Sequence, residues 1–242
     1  MTDVAPGRRS SWEWVAAGTG LWESTLASVE DQALRAPSLL PGWSRAHVVA
    51  HVALNARALG HLVTWARTGV ETPMYASPQA RDADIEELAG APAQVLRVRS
   101  REEAQALAQG MGQLGAEQWQ VRVRVRQGTA IAADTIPWLR AREVFLHALD
   151  LGAGACDQDL PVAFAHALLG DVSRQRSRVE GHPSLVLREE DGRARWEVGR
   201  PGPGAPQVVG DVRALAAWVT GRPVTLPVAA TGGGLPQLPP WL

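Results

Sequence analysis

The chain has one cysteine, no lysine and no long apolar run, and each shortage removes a class of protein. A lone cysteine, Cys156, cannot close an internal disulfide, a pattern that suits a protein kept in a reducing cytoplasm. Without lysine, every basic residue is arginine, so no single arginine stands out by its type. Acidic residues balance them: the net charge is −1 and the pI near 6.6, which gives no electrostatic case for nucleic acid or an anionic membrane as partner. No stretch approaches the roughly 20 apolar residues that cross a bilayer. Residues 1–9 are followed by no apolar core of a secretory signal. A chain of 242 residues then accommodates one large or two modest domains.

Against this plain background, two segments carry chemistry. One is Gly42-Trp43-Ser44-Arg45-Ala46-His47-Val48-Val49-Ala50-His51; the other is Arg140-Ala141-Arg142-Glu143-Val144-Phe145-Leu146-His147. Glu143 and His147 are four apart, so on a helix they stand on one face, one turn apart. One further histidine from a neighbouring helix would give two imidazoles and a carboxylate, a set that binds zinc and leaves a fourth position open. Arg140, Glu143, His147 and Asp150 form a narrow stripe on a helix that is otherwise apolar nearly all round, with Arg142 the main exception. Such a helix is normally buried. Its stripe either forms the one solvated edge or lines an internal cavity, where charge must be paired or metal-bound. Spacing does not choose the third ligand: His47 and His51 are themselves four apart, and His61 follows on the same helix.

Hydrophobic periodicity predicts helices over 10–35, 44–67, 80–89 and onward, after a break at Gly90-Ala91-Pro92, to 114, and over 136–151. Residues 119–126 alternate valine and arginine, as a strand with one solvated basic face does. Past a linker at 157–161 the texture changes: a helix over 162–180, short strands at 184–188 and 195–198, a Pro/Gly-rich loop at 199–206, a helix over 211–220 and a last extended piece at 223–228. Cys156 sits beside Asp157 and Asp159, which offer no electropositive setting, so it reads as an incidental loop thiol.

The run Leu40-Pro41-Gly42-Trp43-Ser44 through His51, the segment Arg81-Asp82-Ala83-Asp84-Ile85-Glu86, and Pro137-Trp138-Leu139-Arg140 through Glu143, His147 and Asp150-Leu151-Gly152 together resemble the mycothiol-dependent maleylpyruvate isomerases. Val209-Gly210-Asp211, Trp218-Val219-Thr220-Gly221-Arg222 and the closing Leu238-Pro239-Pro240-Trp241-Leu242 extend the likeness over essentially the whole chain. The resemblance implies an α+β protein, with a DinB-like four-helix bundle over 1–156 and a smaller, sterol-carrier-like α+β domain over 157–242. It implies zinc on His51, Glu143 and His147, with His47 as a neighbour, and mycothiol as thiol cosubstrate, though it identifies no thiol-binding positions. It puts Arg81 in the substrate pocket, where a guanidinium grips a carboxylate through two parallel hydrogen bonds; by pattern alone Arg81 is an ordinary surface arginine. Asp150, one turn beyond His147, would orient a ligand or touch the cosubstrate.

The expected activity is isomerisation of maleylpyruvate to fumarylpyruvate in gentisate-type aromatic degradation, by a cytoplasmic monomer whose partners are a small dicarboxylate and a low-molecular-weight thiol. Two other readings share the motifs. A mycothiol S-transferase would add the thiol irreversibly to another electrophile. A non-enzymatic zinc-binding regulator would hold the metal and do no chemistry, although the His-x3-Cys-x2-Cys pattern of short zinc regulators is missing.

Overall fold

A computed structural model describes residues 7–231 and 233–241. The first six residues, part of the segment read as lacking a signal, and Leu242, the end of the closing motif, lie outside them. The chain divides into two compact units, Met1–Ala153 and Gly154–Leu242.

In the first unit, the 24-residue helix α2 (Arg45–Thr68) is the central element, because its sequence is apolar on nearly every face from Ala46 to Ala66. It packs against α4 (Ala93–Gly112), α3 (Pro78–Ala89) and α5 (Ile136–Asp150), while α1 (Arg8–Ser28) packs along α5. Gly18 permits that last approach: a Cβ there would lie 2.6 Å from Val144 Cγ2 and 3.0 Å from the Phe145 ring. The four long helices form the expected bundle, with α3 as a short addition before α4. A two-stranded ribbon, β1 (Arg122–Arg124) and antiparallel β2 (Ala130–Ala132), precedes α5.

In the second unit, α6 (Val162–Ser177) and α7 (Val212–Val219) pack together and against a four-stranded sheet ordered β4-β3-β5-β6. Its strands are β3 (Leu185–Glu189), β4 (Arg195–Val198), β5 (Gln207–Gly210) and β6 (Val228–Ala230). The β3–β5 pair is parallel and the other two pairs antiparallel. The whole is an α+β fold with a helical first unit. Among the described residues, no helix is long and apolar enough to cross a membrane.

Several elements depart from the sequence reading, each for a local reason. The first helix stops at Ser28, and residues 31–35 form a separate 3-10 turn. Arg97, from α4, donates to the carbonyls of Leu26 and Val29 at 2.7 and 2.5 Å and so takes over the chain end. The strand expected at 119–126 shrinks to three residues, and its partner β2 had no alternating pattern to announce it. The extended piece expected at 223–228 becomes a strand only from Val228, because Pro223 and Pro227 lack the N–H a ladder needs. Strand β5 has only four residues beside a Pro/Gly-rich loop, too few for a periodic signal.

Candidate metal centre

The start of α2 is tied to the end of α5, and this sets the site's register. Leu39 N–H donates to Asp150 O at 2.9 Å; Arg45 donates from Nε to Leu151 O at 2.7 Å and from Nη2 to Gly152 O at 3.1 Å. These are carbonyls the end of a helix leaves unpaired, and an arginine there also suits the negative end of the helix dipole. Gly152 ends the helix at φ +59, the left-handed conformation glycine tolerates. A second tie lies deeper. Arg140, 1% exposed, donates from Nη1 to Val52 O at 2.8 Å and Asn55 Oδ1 at 3.2 Å, gripping α2 just past His51. Burial lowers its pKa to about 10, with the Glu143 charge working the other way.

Between these ties, His51 from α2 meets Glu143 and His147 from α5. His51 Nε2 lies 3.0 Å from Glu143 Oε2, and His147 Nε2 lies 3.3 Å from the same oxygen. One ligand atom from each of the three residues falls within 4.8 Å of the others. The imidazoles stand edge to face, ring centroids 4.7 Å apart at 88°, and Trp43 closes on His51 at 5.5 Å. His147 Nδ1 is 2.8 Å from Asp150 Oδ2, and Asp150 is 1% exposed. That carboxylate holds the Nδ1 proton and turns Nε2 inward toward Glu143, the arrangement that orients metal-ligating histidines. Arg81, from α3, brings Nη2 to 3.3 Å from His51 Nδ1 and holds Asp82 with Nη1 at 2.7 Å. An arginine only donates, so in this state His51 accepts at Nδ1 and its proton is on Nε2, facing Glu143.

Charge and burial compete at each of the three. Burial pushes the Glu143 pKa up, but hydrogen bonds from His147 and His51 and their charges hold it well below the usual carboxylate range. Burial pushes His147 down, yet Asp150 and Glu143 raise it overall. His51 is lowered, by burial first, with Glu143 opposing and His147 and Arg81 assisting.

The arrangement brings Arg81, His51, Glu143, His147 and Asp150 into one cluster. It leaves the other candidates elsewhere. His47 completes a capping box with Ser44 at the start of α2 and turns Nε2 to Glu86 at 3.1 Å. His61 donates to backbone carbonyls of the loop after α2. Cys156 belongs to the second unit, 3.9 Å from the Thr225 hydroxyl. Of the Val/Arg strand, Arg122 and Arg124 are exposed, as a solvated face requires. One residue that feels the site's charges escaped the sequence reading: Tyr75, half-buried in the loop between α2 and α3, has its phenol pKa pushed up by burial first and by the Glu143 charge next, with Arg81 and Arg126 opposing. A loop residue has no periodicity to reveal it.

The likeness to known proteins follows the same lines. Residues 15–152 match the family model of the mycothiol maleylpyruvate isomerase N-terminal domain. Two solved structures resemble the chain over nearly its full length. One is a mycothiol-dependent maleylpyruvate isomerase, 31% identical, with a TM-score of 0.92, covering 98% of this chain and 98% of that one. The other is a histidine-to-alanine mutant of a mycothiol-dependent maleylpyruvate isomerase, 30% identical, with the same TM-score and coverage. No curated protein matches the chain.

Proposed function

The chain belongs to the mycothiol maleylpyruvate isomerase family, and from that premise we propose that it converts maleylpyruvate to fumarylpyruvate by reversible addition of the thiol of mycothiol. The observation that carries this reading is the His51–Glu143–His147 set with Arg81 at its edge, in a chain that follows a solved isomerase over 98% of its length.

The three donors suit zinc. Ligand atoms at about 2.0–2.2 Å from a tetrahedral ion stand about 3.3 to 3.6 Å from one another; the two edges that meet at Glu143 Oε2 are 3.0 and 3.3 Å, and all three ligand atoms lie within 4.8 Å. Three protein ligands leave one position open. When bound, zinc would lower the pKa of a thiol in that position and so supply thiolate at neutral pH.

The residues around the set do the rest. Asp150 holds the His147 ring in one tautomer and orientation. Arg81 takes a carboxylate of the dianionic substrate in its planar fork, and its charge favours the more electron-rich intermediate. The mycothiol thiolate adds to the cis double bond. The former double bond, now single, rotates, and elimination leaves the trans isomer and returns the thiol.

The test is turnover with mycothiol in catalytic amount, following maleylpyruvate absorbance against free thiol remaining. Many turnovers per thiol are expected, since addition and elimination regenerate it each cycle. Stoichiometric loss of thiol would select an S-transferase instead. No change in either, with zinc bound, would select a metal-binding regulator.

A further inference from the structure

Asn55 and Arg140 are paired across the same two helices as the ligands themselves. Asn55 is four residues after His51, so the two share a face of α2; Arg140 is three residues before Glu143, so those two share a face of α5. His51 Nε2 meets Glu143 Oε2 at 3.0 Å. One turn onward along α2 and one turn back along α5, Arg140 Nη1 donates to Asn55 Oδ1 at 3.2 Å. The same Nη1 donates to Val52 O at 2.8 Å, on the residue next to His51. The antiparallel helices are thus joined by two successive rungs. The first closes through a proton shared between His51 and Glu143. The second contains no ligand atom, so it does not change when a cation takes that proton's place.

The second rung is costly. Arg140 is 1% exposed and Asn55 6%. Both acceptors are neutral, and Arg140 Nη2 is buried with no hydrogen-bond partner among the described residues. A guanidinium so placed loses its hydration and recovers only part of it from its new partners. Apolar side chains of similar size commonly replace such buried polar groups without loss of stability. Stability alone therefore does not account for an arginine at position 140.

Resting on the zinc reading above, we propose that Arg140 is a positioning residue, whose rung with Asn55 and Val52 holds α2 and α5 at the spacing in which the three ligand atoms converge. A slide of one residue along a helix is about 1.5 Å, whereas zinc–ligand distances tolerate only about 0.2 Å. The Arg45 and Leu39 bonds fix the helices beyond His147, at the end of α5. The Arg140 rung lies on the opposite side of the set and brackets it. A set held in place before the cation arrives needs less ordering on binding, and its affinity rises accordingly.

The experiment compares wild type with the double variant Arg140→Met/Asn55→Leu, which removes donor and acceptor together and so strands neither. Three quantities are read: zinc affinity by competition with a chromophoric chelator, the visible spectrum of the cobalt(II)-loaded protein, and the urea midpoint of the metal-free protein. Zinc should bind about 10- to 100-fold more weakly, the usual loss when support around the ligands is removed. The cobalt bands should change, and the metal-free midpoint should equal or exceed that of wild type. Zinc affinity within about threefold of wild type, an unchanged cobalt spectrum, or a lowered midpoint would each overturn the assignment. Arg140→Lys keeps a donor nitrogen, and one nitrogen makes both bonds, so it should restore most of the lost affinity. A lysine variant as weak as the double variant would also sink the proposal. None of these measurements uses maleylpyruvate. A wild type that binds zinc without isomerising removes the isomerase reading and leaves this assignment to its own test; a wild type that binds no zinc removes the zinc reading and this assignment together.

Discussion

In the second unit, Asp157 is fully buried, and the hydrogen bonds it accepts from Thr225 and Leu226 come from one short stretch: both backbone N–H groups, at 3.1 to 3.2 Å, and the Thr225 hydroxyl. Arg176, 2% exposed, donates to the carbonyls of Val219 and Pro239 and meets the His182 ring. In the first unit, Glu143 meets two imidazoles, one of which leans on a buried Asp150, while the guanidinium of Arg81 reaches the other. Both regions bury charge, and in both a charge needs partners. The difference is what the partners are. The Asp157 carboxylate is saturated by two backbone N–H groups and an adjacent hydroxyl that the fold holds in place, so that site is closed. Side chains that face one another with lone pairs inward can exchange partners, and a cation can take the place of their protons. Burial of charge marks both regions, but only the second arrangement leaves capacity for a ligand.

The sharpest way to break that comparison is to remove one donor. His51→Ala, Glu143→Ala and His147→Ala should each abolish stoichiometric zinc and with it turnover, since three protein ligands are the usual minimum for a catalytic zinc site. Metal per chain, measured by atomic emission after dialysis, checks this. If the His147 variant keeps its zinc, the facing side chains of α5 are no more a ligand set than the closed Asp157 site of the second unit.

The contrast also explains what could be read from the sequence. Glu143, His147 and Asp150 were legible because their pairing is local: spacings of four and three put them on one face of a helix whose apolar surroundings demand burial. His51 was not separable from His47 or His61, because its partner lies 92 residues away and the register is set by ties between the helices, Arg45 on Leu151 and Gly152 and Arg140 on Val52. Arg81 was named through a family likeness, and Tyr75 not at all, because loop residues carry no period. The same divide holds for the fold. The long helices followed from the 3.6-residue pattern. The end of α1, set by Arg97 from another helix, and the short strands β2 and β5, set by their neighbours in the sheet, did not.

A smaller effect is expected where the charge is closed in. Asp157→Ala should cost about 3 kcal/mol of unfolding free energy, since it strands the buried N–H groups of Thr225 and Leu226 that now bond a carboxylate. The folded variant should keep its zinc and its kcat. Urea midpoints followed by circular dichroism, beside metal analysis of the folded fraction, test this. Zinc lost in proportion to nothing but the folded fraction upholds the contrast; zinc lost from protein that remains folded would mean that Asp157 serves the site.

The smallest expected effect tests the boundary of the site itself. His47 sits one turn before His51 and resembles it in every local respect: residue type, helix and an acidic partner within 3.1 Å. Its work is different. Its Nδ1 accepts the Ser44 N–H at 3.2 Å while the Ser44 hydroxyl accepts the His47 N–H at 3.4 Å, so the pair satisfies two donors that the start of α2 would otherwise leave open. Its Nε2 contact with Glu86 is a hydrogen bond at the surface, with the glutamate side chain 70% exposed, and adds little. His47→Ala should therefore cost about 1 kcal/mol, the usual worth of a helix cap, and leave zinc stoichiometry and kcat near wild type. Restoring a capping-box side chain through His47→Gln should recover most of that loss, because a side-chain oxygen can again accept the Ser44 N–H. Zinc lost from folded His47→Ala and regained in no variant but histidine would move the ligand from His51 to the His47–His51 pair, and the tie between α2 and α5 would then have a different purpose.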